Sequence, residues 1–167
     1  MINFENFSTQ YAVKRITQAD IEQVLSLCRG NPMFYQHCPP FATKETILAD
    51  MKALPDKKSM EDKYYVGFWE NRKLVAVMDF IDHFPDESTA FIGFFMIDSS
   101  LQHQGVGTQI ASELHQYLKS QGYRHIRLGW AKGNCQSEAF WHKNGFRETG
   151  VTYKTCGYTV IVAQRDL

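Results

Sequence analysis

A chain of 167 residues is long enough for one domain with a substantial core, and the sequence is read as a single domain over 1–167. Its 44% hydrophobic and 22% charged residues argue against disorder. The 18 basic residues are balanced by 18 acidic ones, which leaves no electrostatic case for nucleic acid or an anionic membrane. No apolar run approaches the roughly 20 residues that span a bilayer. The N-terminus MINFENFSTQYAVKR is acidic and polar where a signal peptide would be basic and then apolar, so a cytoplasmic protein is the expectation. Cys28, Cys38, Cys135 and Cys156 show no C-x-x-C spacing; they read as reduced thiols, and no metal is expected.

Residues 11–16, YAVKRI, form the first expected strand. Thr17 to Asp20 supply capping residues for a helix whose apolar positions are Ile21, Val24, Leu25, Leu27 and Cys28, and Gly30 ends it. Residues 31–43, with three prolines and the rings of Phe34, Tyr35, His37 and Phe41, read as a loop. Thr43 caps a second helix with Ile47, Leu48, Met51 and Leu54 on its apolar face, stopped by Pro55. A charged connector, DKKSMEDK, follows.

From Tyr64 the pattern turns to strands. YYVGFWE and KLVAVMDFID are joined by a hairpin turn at Asn71-Arg72, and HFPDEST leads into a third run, AFIGFFMID. Next comes the turn Gln102-His103-Gln104-Gly105-Val106-Gly107-Thr108, opening a helix with Val106, Ile110, Ala111, Leu114, Tyr117 and Leu118 on one face. Gly122 closes that helix. HIRLGW is a strand, 136–143 a helix ended by Gly145-Phe146, and strands are expected near 147–154 and 158–165. The order β α α β β β α β α β β makes a mixed α/β or α+β sheet.

Two glycines at a helix start let backbone N–H groups approach a ligand, and those groups with the helix dipole favour an anion. The turn therefore reads as a phosphate cradle, with a plain strand-to-helix turn as the alternative. A P-loop is excluded because no Gly-Lys-Ser/Thr occurs. A dinucleotide fingerprint fails because Ile110 stands at its third glycine and the turn follows a meander rather than opening a βαβ unit.

What remains is Gln-x-x-Gly-x-Gly at Gln102, Gly105 and Gly107, joined later by Asn134, an aromatic seven residues on at Trp141, and Gly145-Phe146. In these motifs and in element order, from about Tyr11 to Val162, the chain resembles the GCN5-related N-acetyltransferases. The resemblance implies their acyl-CoA N-acyltransferase fold, a mostly antiparallel sheet splayed between its fourth and fifth strands. It implies acetyl-CoA as cosubstrate, with Phe95, Met96 and Ile97 bordering the gap, backbone groups of Met96 and Ile97 pairing with pantetheine, Asn134 hydrogen-bonding it, pyrophosphate on the amides of 104–108, and Gln102, His103, Ser137 and Trp141 among the remaining cofactor contacts. An N–H near Phe95 or Met96 would stabilise the oxyanion. The acceptor would be a primary amine on a small molecule, an amino-acid-like compound or a peptide N-terminus, attacking directly. Subunits of the family often pair through sheet edges, so a homodimer is admitted.

The amine must lose a proton, and Asp79, Asp82, His83 and Glu87 are candidate acceptors. Strand alternation puts Asp79 on a face with Val75, Val77 and Ile81, where an acid needs a partner; Asp79 and His83 are taken as catalytic candidates. Many family members have Tyr where this chain has Trp141, and that Tyr protonates the leaving thiolate. Indole N–H donates a hydrogen bond but is no general acid near neutral pH. Trp141 therefore either steadies the thiolate, or leaves protonation to another group or water, or marks a non-catalytic acyl-CoA-binding and sensing module. Phe34, Tyr35 and His37 are the expected acceptor contacts, and the lack of an acidic cluster in their loop argues against a polycation.

Overall fold

In the computed structural model, which describes residues 2–167, seven strands form one sheet in the order β1-β2-β3-β4-β5-β7-β6. β1 (Ala12–Arg15), β2 (Lys63–Glu70), β3 (Lys73–Ile81) and β4 (Thr89–Ile97) make an antiparallel meander. Asn71 and Arg72 both have positive φ, 46° and 67°, as a tight mirror-type hairpin turn requires. β5 (His125–Ala131) lies parallel to β4, which demands a crossover, and α4 (Val106–Ser120) provides it. β7 (Thr159–Asp166) pairs with β5 on one side and with the edge strand β6 (Arg147–Lys154) on the other.

Each face of the sheet buries its own core. On one face Ile110, Leu114 and Leu118 of α4 pack on Val66, Phe68, Met78, Phe80, Ile126 and Leu128. On the other, Val24 and Leu25 of α1 (Ile21–Arg29) and Ile47 of α3 (Lys44–Asp50) pack on Tyr65, Val77 and Met96. Burial at about 0.8 kcal/mol per methylene makes these two layers the main stabilising term.

The structure corrects four local expectations. Residues 31–43 are not all loop: Pro32–His37 form a short helix, α2, with proline at its first position, where its fixed φ suits a helix start. α3 stops at Asp50, and Leu54 lies in irregular chain past the turn that follows it, 36% exposed. A register shift against β2, between Phe68↔Ala76 and Trp69↔Leu74, makes Val75 an extra residue. Val75 therefore joins the α4-side core while Leu74 and Val77 pack on the α1 side, so Val75 does not share a cluster with Val77. His115 is buried on the inner face of α4, a place the apolar spacing had not given to it.

Candidate active site

β4 and β5 pair only from Thr89↔His125 to Ile92↔Leu128. At that point β4 carries one extra residue against β3: Phe80 faces Ile92 and Asp79 faces Phe94, leaving Gly93 unpaired. A bulge bends and twists its strand, and residues 94–97 part from β5. A cleft of about 560 Å³ opens there, the size of a small-molecule site. Phe95, Met96 and Ile97 border it.

The mouth of the cleft is the start of α4. Gly105 stands at the N-cap with φ +84°, and no side chain caps the helix. The first-turn amides are thus left for a ligand, with the helix dipole behind them. A Cβ on Gly107 would come within 3.1 Å of the Phe140 ring and 3.3 Å of the Ile97 side chain, so a side chain here would crowd both, each having to give by a few tenths of an ångström. His103, at φ +60°, and Thr108 also face the cleft. The side chains of Gln104 and Val106 do not: Gln104 donates to the Ser100 carbonyl at 2.8 Å and Val106 packs on the core.

Gln102 frames the cleft. Its amide N–H donates to Asn31 Oδ1 and to the Ile97 carbonyl at 3.3 Å, and Asn31 Nδ2 donates to the same carbonyl at 3.1 Å. The Ile97 carbonyl is therefore already satisfied internally, and of the expected backbone partners for pantetheine it is the least available. Asn134 is buried at the cleft wall, where its Oδ1 accepts the Ser137 N–H at 3.1 Å and caps α5 (Cys135–Lys143).

Trp141 forms the aromatic wall. Its ring lies 5.8 Å from Phe95, 4.8 Å from Phe140 and 5.1 Å from Phe146, and the side chain is buried. No aspartate, glutamate, tyrosine or cysteine lines the cleft among the described residues; His103 and Lys143 are its ionisable groups. Sequence reading missed Asn31, Gln136, Phe140 and Lys143 as lining residues. Phe140 and Lys143 were legible as neighbours of Trp141 on the helix, whereas Asn31 carried no signal.

The acids lie apart from this wall. Asp79 has the partner its setting demands: the Lys63 ammonium donates to both carboxylate oxygens at 2.7 Å, and Lys63 is only 1% exposed. Lys63 was the last residue of the charged connector and is in fact the buried first residue of β2. Burial pushes the Asp79 carboxyl up, and Lys63 opposes that shift. A Cβ on Gly93 would come within 2.9 Å of Asp79 Oδ2, so the bulge glycine makes room for the carboxylate. His83 is not brought to the cleft. It sits in the β3–β4 turn, at the other end of β4, stacked on Tyr123 with centroids 4.9 Å apart, its Nδ1 2.6 Å from the Glu87 carbonyl oxygen. Asp82 is buried beside it, accepting the Tyr123 hydroxyl, and Glu87 is exposed in the same turn.

Of the acceptor candidates, Phe34 reaches the cleft and stacks edge-on against Phe94 at 5.6 Å. Tyr35 is buried behind it, 5.0 Å from Phe34, its phenol pushed up by burial. His37, at the end of α2, does not line the cleft.

The sequence profile of the acetyltransferase (GNAT) family matches residues 27–146. The chain belongs to the acetyltransferase (GNAT) family. No curated protein matches the sequence. Among solved structures, the fold is similar to an acetyltransferase from Thermus thermophilus at TM-score 0.73, with 20% identity over 93% of this chain and 96% of that one. The ribosomal-protein-S18-alanine N-acetyltransferase of Escherichia coli gives 0.65 with 16% identity over 92% of each chain. PaiA N-acetyltransferase from Thermoplasma acidophilum, solved with coenzyme A, gives 0.63 with 15% identity over 93% and 98%. At these identities the likeness concerns the fold. No helix among the described residues is long and apolar enough to cross a membrane.

Proposed function

We propose that the protein transfers the acetyl group of acetyl-CoA to a primary amine of a small molecule, an amino-acid-like compound or a peptide N-terminus, in a ternary complex. One observation carries this reading: the cleft between β4 and β5 ends on the uncapped, glycine-built start of α4. The amides there suit a diphosphate, and the unpaired edge of residues 94–96 suits an extended arm that adds to the sheet as a strand would. Gly107 supports the fit, since a Cβ there would crowd the Ile97 and Phe140 side chains beside the cleft.

Bound acetyl-CoA supplies a thioester carbonyl and a thiolate leaving group. An N–H on the free β4 edge, at Phe95 or Met96, stabilises charge on the acetyl oxygen; such a donor is worth about 3 kcal/mol. Asp79 accepts the amine proton through water. It lies opposite Phe94 and over Gly93, one strand from the free edge, and its raised pKa brings it nearer the operating pH of a general base. Phe34 and Phe94 hold the acceptor's apolar part. Trp141 donates its indole N–H to the sulfur, and water supplies the proton; a thiol of pKa about 8.5 leaves tolerably as thiolate.

A non-catalytic acyl-CoA-binding role is the second reading, favoured by the lack of any tyrosine, cysteine or carboxylate on the cleft wall among the described residues. Isothermal titration with acetyl-CoA, paired with CoA thiol release over a panel of amines, separates the two. Saturable binding with amine-dependent release supports transfer. Binding without release from any amine supports the second reading, and absence of binding refutes both.

A further inference from the structure

The end of α5 and the start of β6 bring three ligand-type side chains together outside the cleft. Glu138 and His142 are four residues apart on α5 and share a face. Glu148 follows on β6, after the chain has turned at Gly145. One oxygen of each carboxylate and one ring nitrogen of His142 all lie within 4.8 Å of one another. Ligands at about 2.0–2.2 Å from a zinc-class ion stand roughly 3–4 Å apart, so small rotamer changes close the set around one cation.

The protein offers these acids no cation of its own. Among the described residues, neither Glu138 nor Glu148 takes part in an ion pair. Arg147, next to Glu148, is committed elsewhere: its guanidinium donates to the carbonyls of His142 at 3.1 Å and Phe146 at 2.7 Å. The His142 ring has no hydrogen-bond partner among the described residues. It is half-buried and held edge-on to the buried Trp130, centroids 5.3 Å apart at 86°, so its direction is set before any ligand arrives.

We propose that Glu138, His142 and Glu148 bind one divalent first-row transition ion of the zinc class, with water completing its shell. One imidazole with two carboxylates is a borderline donor set that favours zinc, cobalt or nickel over magnesium and calcium, which take oxygen ligands. The cysteine spacing that led us to expect no metal does not bear on this site, because it uses none of the thiols. The ion would fasten the last turn of α5, which carries Phe140 and Trp141 on the cleft, to the edge strand of the sheet.

The test is isothermal titration of zinc chloride into the full chain carrying Cys135→Ser and Cys156→Ser, which removes the exposed thiols. One site per chain is expected, with excess magnesium failing to displace zinc. Glu148→Gln, at an exposed position, and His142→Ala should each weaken binding at least about tenfold, ~1.4 kcal/mol, with melting in EDTA unchanged for Glu148→Gln. Cobalt should give a visible d–d spectrum that His142→Ala abolishes. Absence of saturable zinc binding, or binding that survives both substitutions, overturns the proposal.

Discussion

The two sides of β4 are built in different ways. On the α4–α5 side the cleft is shaped by backbone: a bulge at Gly93, a lapse in β4–β5 pairing after Ile92, and two glycines at the start of a helix. On the α1–α3 side, side chains do the shaping: the buried Lys63–Asp79 pair, and Phe34 and Tyr35 packed against Phe94. A backbone site can be held while side chains around it vary, and it suits a ligand common to a family. A side-chain site changes with single substitutions and suits an acceptor that differs from one member to another. The contrast predicts that damage to the first side shows in acetyl-CoA affinity, and damage to the second in stability and in turnover.

The largest effect is expected on the side-chain side. Lys63→Met leaves Asp79 without its cation and should destabilise the fold by about 3–5 kcal/mol, read from denaturant unfolding. The double exchange Lys63→Met with Asp79→Leu should recover most of that loss, while acetyl-CoA affinity of the folded protein changes less than about twofold, ~0.4 kcal/mol. A large loss of affinity would break the contrast.

The α4 side has its own buried group in His115, whose ring nitrogens have no partner and whose pKa is pushed down to about 3, by burial first and then by Arg165. The folded state keeps this imidazole neutral, whereas the unfolded chain takes a proton below its ordinary 6.5. Its contribution is complete above that value and is lost as pH falls toward the folded pKa. The loss should be about 2 kcal/mol at pH 5. Unfolding free energies measured from pH 7 to 5 should fall more steeply in the parent than in His115→Leu.

Gly107→Val should weaken acetyl-CoA binding at least about tenfold, ~1.4 kcal/mol, by pushing into Phe140 and Ile97; calorimetry reads it directly. The smallest effect is expected at Trp141. In the proposed complex, replacing it with tyrosine would put a proton donor beside the sulfur, and turnover should rise several-fold with little change in acetyl-CoA affinity. An unchanged rate would show that water already protonates the thiolate fast enough.

The same contrast explains how much was legible in the sequence. Strand order, the crossover helix and the turn at 102–108 were readable because period, glycines and turn residues act locally. The splay was implied by resemblance, but its local cause, the unpaired Gly93, depends on register between β3 and β4, which no local pattern encodes. α2 was hidden because a six-residue helix among prolines has too short a period to detect. Asp79 was flagged as an acid needing a partner, yet Lys63 could not be named, since it joins Asp79 only when β2 pairs with β3. His83 was drawn in by its nearness to Asp79 in the chain, and the length of β4 separates it from the cleft. Asn31 was invisible for a similar reason: it meets Ile97 from 66 residues away.

The central claim is that the free β4 edge and the start of α4 hold acetyl-CoA. Amide hydrogen exchange with and without acetyl-CoA tests it residue by residue. The account predicts protection of Phe95, Met96 and the amides of 105–108, with β1 and β2 unchanged. Saturable acetyl-CoA binding that left those amides unprotected would contradict it.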